Sequence, residues 1–379
     1  MALRIELRAS LEGIEPLSWD ALAGPNDPFV EHAFLRGLET TGCVGREAGW
    51  LPVHVTAWDH ERLVGALPLY AKDNSWGEFI FDFAWAHAAI QSGVAYYPKL
   101  VSMAPFTPAT GKRFLVAPDV DEELVVRGLI AGARAAADEV GASSIHLLFL
   151  TEAERMRASA LGLRPRLSLQ FHWDDDGYSS FDDYLSRFRS RKRKQVVAER
   201  RRVAESGLEV RLIPGTELRD VEHAALKRFY RDNCFAHGSH GYLTDAFFDH
   251  VREVCADRFL LCMAFDRGVP CATSINFVKG SHLYGRYWGC GANHELLHFE
   301  LCYYRLIEHA IEVGLTHFEA GAQGFHKLQR GLLPTEVHSA HWIRDPRLAG
   351  AIDSYLPREA FDVKAEIAAL LPRSPFRRC

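Results

Sequence analysis

The 379-residue sequence has no C-x-x-C pair and no compact group of cysteines. Its eight cysteines are scattered, and several lie in apolar runs, which is typical of buried free thiols and not of a disulfide scaffold or a structural zinc site. The first ten residues, MALRIELRAS, lack the apolar core of a signal peptide, and no apolar run is long enough to span a membrane. We therefore expect a cytoplasmic protein with no membrane span.

An excess of positive charge is also absent. The formal net charge is -5, so attraction of the whole molecule to a polyanion is not implied, although a local basic patch could still provide it. Hydrophobic residues make up 48% of the chain and charged residues 25%, which is the composition of a soluble globular protein. The length is sufficient for two domains of ordinary size.

The most informative stretch is residues 281–331, which contains a strand, a glycine-rich loop, a helix and a second strand. Apolar residues with a period of 3.6 predict a helix over Phe299 to Val313 that ends at Gly314. Strands are predicted at His282 to Gly289 and at Thr316 to Ala320. This order places two loops at the same edge of a sheet, where open α/β folds bind ligands.

The same pattern of elements occurs twice along the chain. A helix, a β-hairpin, a second helix and a strand are predicted in each half: residues 29–42, 53–72 and 124–149 in the first, and 242–255, 259–280 and 299–320 in the second. The repeat predicts an α/β (α+β) protein with two similar domains, each a mixed sheet flanked by helices. We place the domains at residues 1–170 and 208–379, with a helical connector at 171–207.

The connector is strongly basic. Ser180 and Asp183 resemble a capping box that opens a helix, and Gly207 ends it. Nine basic residues lie on this predicted helix: Arg187, Arg189, Arg191, Lys192, Arg193, Lys194, Arg200, Arg201 and Arg202. They could form a solvated helix face, but a net acidic protein has concentrated a fifth of its positive charge here, which suits a phosphate-rich ligand.

Several ordered segments resemble the bacterial FemAB-like family, described as peptidoglycan biosynthesis or recognition proteins of the GNAT acyltransferase superfamily. The segments are NSWGEFIFDFAWA, YYPKL, PFTP, FRSRKRK, LYGRYWG, LHFELCYY, GLTHFEAGAQG and HKLQRGLLP, and they extend from about Ala71 to Pro334. The resemblance implies two tandem GNAT-like domains. It also implies transfer of an amino acid from aminoacyl-tRNA to an amine on a cell-wall precursor.

The resemblance also implies site residues. Ser190, Arg191, Arg193 and Lys194 match the basic segment that contacts phosphate groups in Fem proteins, and Lys327 matches the lysine that precedes a glycine-containing turn. One departure is Phe325, where the family usually has Glu in GAQGEHK. This puts an acid or base role for that carboxylate in doubt.

Transfer of an acyl group to an amine requires a positioned neutral amine, donors for the oxyanion and a group that accepts a proton. The candidate bases are His298, Glu300, Glu319 and His326, although Glu300 could instead stabilise the helix dipole. Lys327 and Arg330 would neutralise phosphates. Further binding candidates are Gln323, Tyr303, Tyr284, Tyr287 and Trp288, of which the last three could stack on a nucleoside or fill the core.

Two other motifs overlap this region. Arg286, Gly289 and Gly291 form R-x-x-G-x-G, the pattern with which GNAT enzymes bind the pyrophosphate of coenzyme A. His294-Glu295-Leu296-Leu297-His298 forms H-E-x-x-H, a zinc peptidase motif when it lies on a helix, and Glu319 could then be a third ligand. Because the helix is predicted to start near Leu296, His294 would lie in the loop, and we expect no metal.

Together these features predict an N-acyltransferase that uses aminoacyl-tRNA as co-substrate, has no tightly bound cofactor and acts on a small or cell-wall-precursor amine. An acyl-CoA donor is the main alternative. A recognition module without catalytic activity, specific for a phosphate-bearing glycan precursor, and a zinc metallopeptidase remain open.

Overall fold

The computed structural model describes residues 3–292, 294–322 and 324–377. The chain divides into two compact units. The first unit contains Met1–Leu169 and Glu336–Ala365, and the second contains Gln170–Thr335 and Glu366–Cys379. The residues of the predicted connector therefore belong to the second unit, together with residues 208–335. The predicted domain boundaries stay a prediction.

Fifteen strands and twelve helices are found among the described residues. The strands are β1 (Leu3–Arg8), β2 (Leu51–Pro52), β3 (His54–Asp59), β4 (Arg62–Leu67), β5 (Tyr70–Lys72), β6 (Lys99–Ser102), β7 (Leu115–Val116), β8 (Ser144–Leu150), β9 (Arg164–Asp174), β10 (Glu209–Pro214), β11 (Phe259–Asp266), β12 (Val269–Lys279), β13 (His282–Cys290), β14 (His317–Glu319) and β15 (Leu333–Ile343). The helices are α1 (Pro16–Asp20), α2 (His32–Thr40), α3 (Phe83–Gln91), α4 (Glu122–Glu139), α5 (Glu152–Ala160), α6 (Phe181–Ser186), α7 (Ser190–Glu205), α8 (Asp220–Ala236), α9 (Asp245–Val254), α10 (Leu297–Phe299), α11 (Arg305–Val313) and α12 (Pro346–Leu370).

In the first unit, β1, β3, β4 and β7 form an antiparallel sheet in that order. A second group of strands runs β2, β5, β6, β8 and β15, with a parallel pair at β6 and β8. Helix α4 buries Val125, Leu129 and Ala133 against this core. Gly132 allows the helix to approach closely, because an added Cβ there would overlap Val55 of β3.

In the second unit, the strand order is β10, β11, β12, β13, β14 and β9. All neighbours are antiparallel except β13 and β14, which are parallel and are joined through the helix between them. Helix α8 packs on β13, where Gly289 faces Phe229 so closely that an added Cβ would overlap the Phe229 carbonyl. The candidate site lies at strands β12 and β13 of this sheet and at the segment that follows β14.

The predicted fold class is confirmed, because the repeated order of elements is present in both units. A helix, a hairpin, a helix and a strand appear as α2, β3–β4, α4 and β8, and again as α9, β11–β12, α11 and β14. The prediction for Gly314 is also confirmed, since its φ of 75° ends α11 in the left-handed conformation that favours glycine.

The predicted single basic helix is wrong. Ser180 caps α6 by accepting a hydrogen bond from the Asp183 backbone N–H, but α6 ends at Ser186 and α7 begins at Ser190. The interruption comes from Phe188, which is fully buried against Tyr184 and Phe376. Arg189 also uses its backbone N–H to bond the carbonyl of Pro375, so tertiary contacts end the first helix.

The helix that leads into the candidate site contains a π-helical turn. Residues Glu300–Tyr304 adopt this wider turn between α10 and α11. Such turns often occur at functional sites because they change which side chains face a ligand. Leu296, just before α10, has a φ of 66°, which is unusual for a leucine.

Among the helices of residues 3–292, 294–322 and 324–377, none is both long enough and apolar enough to cross a membrane.

Replacing Gly331 with Ala should destabilise the protein strongly. Gly331 follows the turn that carries Lys327, has a φ of 86°, and an added Cβ would overlap the Tyr184 hydroxyl. Positive φ and overpacking together should cost about 2–5 kcal/mol in the free energy of unfolding. Urea denaturation measures this cost. Gly314→Ala is the matched control, since its φ is 75° but no described neighbour lies within 4 Å of the added Cβ, and it should cost about 1 kcal/mol. Equal losses for both variants would contradict the packing argument.

Candidate active site

A cavity of about 420 Å³ lies in the second unit, where β12 and β13 meet the π-helical turn and the segment after β14. Many of its lining residues were predicted from the sequence. The lining residues are His237, Ser274, Asn276, Gly285, Arg286, Tyr287, Trp288, His298, Cys302, Tyr303, Ala320, Gly321, Ala322, His326 and Lys327. The structure thus brings seven predicted site residues together: Arg286, Tyr287, Trp288, His298, Tyr303, His326 and Lys327.

Two backbone irregularities direct side chains into the cavity. In the ladder between β12 and β13, Ile275 pairs with Tyr287 and Asn276 pairs with Gly285, so Arg286 is an extra residue in a β-bulge. Bulges are a common way to redirect a side chain at a sheet edge. The π-helical turn does the same for Cys302 and Tyr303, which both line the cavity.

Lys327 is the most strongly perturbed cation of the cavity. Its side chain is 2% exposed, and Nζ donates a hydrogen bond to the carbonyl oxygen of Gly321 at 2.6 Å. Burial lowers the pKa of Lys327 to about 7, and the nearby charge of Arg286 acts in the same direction. No described carboxylate makes an ion pair with this amine. Lys327 can therefore exchange between charged and neutral forms near neutral pH.

Next to Lys327, an imidazole and a phenol are in hydrogen-bond contact. The Tyr303 hydroxyl lies 2.8 Å from His326 Nε2. Burial raises the pKa of Tyr303, so the phenol stays protonated, and burial followed by the charges of Arg330 and Lys327 lowers the pKa of His326. His326 is therefore a neutral imidazole at neutral pH.

His298 forms the aromatic wall of the cavity. Its ring centroid lies 5.2 Å from Trp288, 5.5 Å from Tyr303 and 5.9 Å from His326. Burial, with the charges of His326 and Arg330, lowers the pKa of His298 to about 4. His298 can therefore pack as an aromatic ring and accept a hydrogen bond from a ligand.

The described lining contains two cationic side chains and three histidines but no carboxylate. Burial lowers the pKa of Arg286, but a guanidinium remains charged in proteins. Asn276 adds a buried acceptor, since its Oδ1 has no hydrogen-bond partner among the described residues while its Nδ2 donates to the Leu260 carbonyl. The cavity can thus stabilise negative charge and can also accept one N–H.

Glu300 lies outside this cavity. It receives a bidentate pair of hydrogen bonds from Arg200 at 2.9–3.1 Å, and Arg200 also binds Glu308. Burial raises the pKa of Glu300, while Arg200 opposes this shift. The structure therefore places Glu300 in an internal ion-pair network between the π-helical turn and α7.

Glu319 also lies apart from the cavity lining. Its carboxylate is 3% exposed and faces His317 and His172 on the sheet. His294 is equally separate, because it precedes Leu296 and α10 begins only at Leu297. The two histidines of H-E-x-x-H therefore do not share one helical face, and this arrangement does not support the zinc peptidase alternative.

The remaining predicted binding residues have packing roles or lie elsewhere. Tyr284 is 1% exposed, and both Gly289 and Gly291 face Phe229 of α8. The guanidinium of Arg330 lies 3.3 Å from the Phe299 ring centroid, donates to the His326 carbonyl and pairs with Glu199. Arg330 thereby fixes the turn that carries Lys327. Gln323 lies outside the described residues.

The basic residues of α7 divide into two groups. Near its C-terminal end, Arg200, Arg201 and Arg202 form ion pairs with carboxylates of the protein itself. At its N-terminal end, Ser190, Arg191, Arg193 and Lys194 are exposed or half-buried, and no described acidic residue pairs with these cations. The first turn of α7 has no acidic residue, although negative charge is favoured there. This surface, Ser190 to Lys194, is the basic start of α7.

Sequence reasoning missed Ser274, Asn276, His237 and Cys302. Asn276 offered a signal, because a buried polar residue inside the apolar strand INFV is unusual. Cys302 shows no such signal, because in the regular helix predicted from the sequence it would lie on the face that packs in the core. Phe325, in place of the family Glu, is 61% exposed and packs edge-to-face on Phe171.

Comparison with known proteins gives one family. The model of the FemAB-like family, described as peptidoglycan biosynthesis/recognition, matches residues 10–378 and confirms the predicted resemblance. No curated protein matches the chain.

Three solved structures are similar in fold. The crystal structure of FemX is similar over 93% of this chain and 100% of its own, with 11% identity and a TM-score of 0.54. L-PGS from Bacillus licheniformis is similar over 91% and 97%, with 11% identity and a TM-score of 0.53. The C-terminal domain of a putative lysylphosphatidylglycerol synthetase from Agrobacterium fabrum is similar over 89% and 94%, with 12% identity and a TM-score of 0.50. At these identities the likeness establishes the fold.

The ε-amine of Lys327 should titrate near pH 7, because burial disfavours its charged form. The ¹³Cε chemical shift of labelled lysine, followed across pH, measures this midpoint. The signal is assigned by its disappearance in Lys327→Arg. In urea-unfolded protein the same amine should titrate near the ordinary value of about 10.4. A midpoint near 10 in the folded protein would contradict the burial argument.

Proposed function

We propose that this protein, an acyltransferase that belongs to the FemAB-like family, moves an aminoacyl group from aminoacyl-tRNA to an amine. The observation that carries this proposal is the cavity that contains Lys327. Its described lining has two cations, three histidines and no carboxylate. A nucleophilic amine and a developing oxyanion both suit such a lining, because neither meets a competing negative charge.

The proposed reaction needs no covalent enzyme intermediate. The neutral amine nitrogen of the acceptor attacks the ester carbonyl carbon of the donor, and an N–C bond forms. The carbonyl oxygen becomes negatively charged. The ester C–O bond then breaks, the ribose hydroxyl leaves with a proton, and the attacking nitrogen loses one. The protein must therefore stabilise one oxyanion and move one proton.

Arg286 and Tyr303 are the proposed donors to the oxyanion. Arg286 reaches the cavity from the β-bulge and remains charged. Tyr303 remains a protonated phenol, and its O–H is available to the oxyanion in the tautomer in which His326 Nε2–H donates to the phenol oxygen. Both are held by the sheet and the π-helical turn before the substrate binds. Preorganised donors of this kind stabilise a transition state without reorganisation during the reaction.

Lys327 is the proposed proton acceptor, and His326 is the residue that precedes it in the chain. A base is most effective when its pKa lies near the working pH, and the pKa of Lys327 is about 7. In its neutral form, Lys327 can donate to the Gly321 carbonyl and still use its lone pair to accept a proton. Asn276 Oδ1 would accept an N–H of the acceptor and orient it.

The basic start of α7 is the proposed contact for the phosphates of the donor. Its cations form no ion pair with any acidic residue that the structure describes, unlike the three arginines near the other end of the helix. Burial and then Arg191 and Arg189 lower the pKa of Lys192, and Arg330 adds to this shift. The basic start therefore lies within electrostatic range of the turn that carries Lys327. We favour tRNA over acyl-CoA because Gly289 and Gly291 face Phe229.

Lys327→Ala should abolish turnover because the proton acceptor is removed. The expected loss in kcat is about 100-fold or more, and donor binding should be retained. Transfer of a radiolabelled amino acid from charged bulk tRNA to cell-wall-precursor amines measures the rate. Lys112→Ala, at an exposed position in the first unit, is the control. A rate of Lys327→Ala within about a factor of two of wild type would overturn the site assignment.

The double substitution Arg191→Ala with Arg193→Ala should weaken tRNA binding and reduce its salt dependence. Each lost phosphate contact should lower the slope of log K against log salt by about one, so the slope should fall by roughly two. The matched control is Arg201→Ala with Arg202→Ala, because these arginines already pair with Glu205 and Glu295.

Binding is measured with charged tRNA, uncharged tRNA and acetyl-CoA, each across a salt series. Preference for charged tRNA supports the proposed donor. Saturable binding of acetyl-CoA without tRNA affinity would identify an acyl-CoA donor instead.

A further inference from the structure

A second group of chemically active side chains lies on the sheet of the second unit, outside the lining of the cavity. In β14, His317 pairs with Asp174 of β9, and Glu319 pairs with His172. Directly paired residues point to the same face of a sheet, and so do residues two apart in one strand. The pairing therefore collects two imidazoles and two carboxylates on one face.

Three of these groups lie close to the spacing of ligands to one metal ion. His317 Nε2 lies 3.3 Å from Glu319 Oε1, and His172 Nε2 lies 3.9 Å from Glu319 Oε2. One ligand atom from each residue lies within 4.8 Å of the others. The ligands of a tetrahedral zinc ion, with bonds of about 2.0–2.2 Å, lie roughly 3.3–3.6 Å apart. Small side-chain rotations would bring the three atoms to this spacing.

The remaining nitrogen of His317 is already held in the way that metal-binding histidines require. Asp174 Oδ1 lies 2.6 Å from His317 Nδ1. A carboxylate at this position fixes the ring orientation and leaves Nε2 for the metal. Gln170 Oε1 lies 3.1 Å from His172 Nε2 and accepts a hydrogen bond from it, so His172 must give up this bond when Nε2 binds a metal.

The group is buried at one end and reaches solvent at the other. His172 and Glu319 are each 3% exposed, whereas the side chain of Asp174 is 66% exposed. Asp174 also lines a cavity of about 700 Å³ together with Asp175 and Asp176. Arg187 and Arg377 also line this cavity, and Arg187 pairs with Asp176, so the cavity gives a cation an entry path past Asp174 and Asp175.

We propose that His172, His317 and Glu319 bind a zinc ion, with Asp174 holding His317 in position. Two imidazoles and one carboxylate suit zinc better than magnesium or calcium, which prefer oxygen ligands. The proposed site differs from the expectation of no metal, and it involves neither His294 nor His298. The argument for zinc binding does not rest on the proposed acyl transfer.

Bound zinc would fix the strand that leads to the active-site cavity. Glu319 ends β14, and two residues later the Gly321 carbonyl accepts the hydrogen bond from Lys327. A metal on Glu319 would restrict the position of this carbonyl. The proposed zinc ion therefore has a structural role, at the base of the loop after β14.

The test is zinc binding by full-length protein that has been freed of metal with a chelator. Titration with ZnCl₂ should show about one zinc ion per chain, and titration with CoCl₂ should give the intense visible bands of tetrahedral Co²⁺. Asp174→Asn should weaken zinc binding by about 10–100-fold, because it removes the group that orients His317. Asp175→Asn, from the same cavity, is the matched control and should bind as wild type does.

Glu319→Gln and His172→Gln should abolish stoichiometric binding. Circular dichroism checks the folding of each variant, and the wild-type cobalt spectrum does not depend on any variant. If wild-type protein binds no zinc, or gives an octahedral cobalt spectrum, the proposal is overturned and His317 is only an ion-pair partner of two carboxylates. Equal zinc affinity in Asp174→Asn and Asp175→Asn would also overturn the role of Asp174.

Discussion

The burial of the Lys327 amine is the constraint on which the rest of the candidate site depends. Removing an ammonium group from water is unfavourable, and no described carboxylate compensates it. The turn that holds the amine must therefore be stabilised by other contacts. Arg330 provides them, because its guanidinium packs on Phe299, pairs with Glu199 and bonds the His326 carbonyl. Arg330, which was expected to bind phosphate, therefore stabilises the turn that holds Lys327.

Much of the fold could be predicted from the sequence, because periodicity and glycine placement are local signals. The helix that ends at Gly314 and the strands on either side of it follow from these two local signals. The break between α6 and α7 could not be predicted, because it results from packing of Phe188 on Phe376, far away in the chain. The π-helical turn has no comparable sequence pattern, so a regular helix was expected there.

Part of the candidate site could also be predicted from local patterns in the sequence. His298, Tyr303, His326 and Lys327 lie in segments with a recognisable pattern, and the structure brings them together. Glu300 and Glu319 were candidates because carboxylates often act as bases, but a sequence does not show which partners a carboxylate will have. Arg200 binds Glu300, whereas Glu319 faces His317 and His172. Asn276 was missed because residues 259–280 are predicted from the sequence only as a β-hairpin.

The π-helical turn has a consequence for how this site could have arisen. One residue more or fewer in a helix rotates all later side chains by about 100° relative to earlier ones. In this chain the turn lets Tyr303 face the cavity while Leu306 and Ile307 still face the core. A single-codon insertion or deletion at this turn would therefore exchange a cavity-facing surface for a packing surface in one step, without altering any chemical group. The length of the turn, as much as its composition, therefore determines which side chains face the cavity.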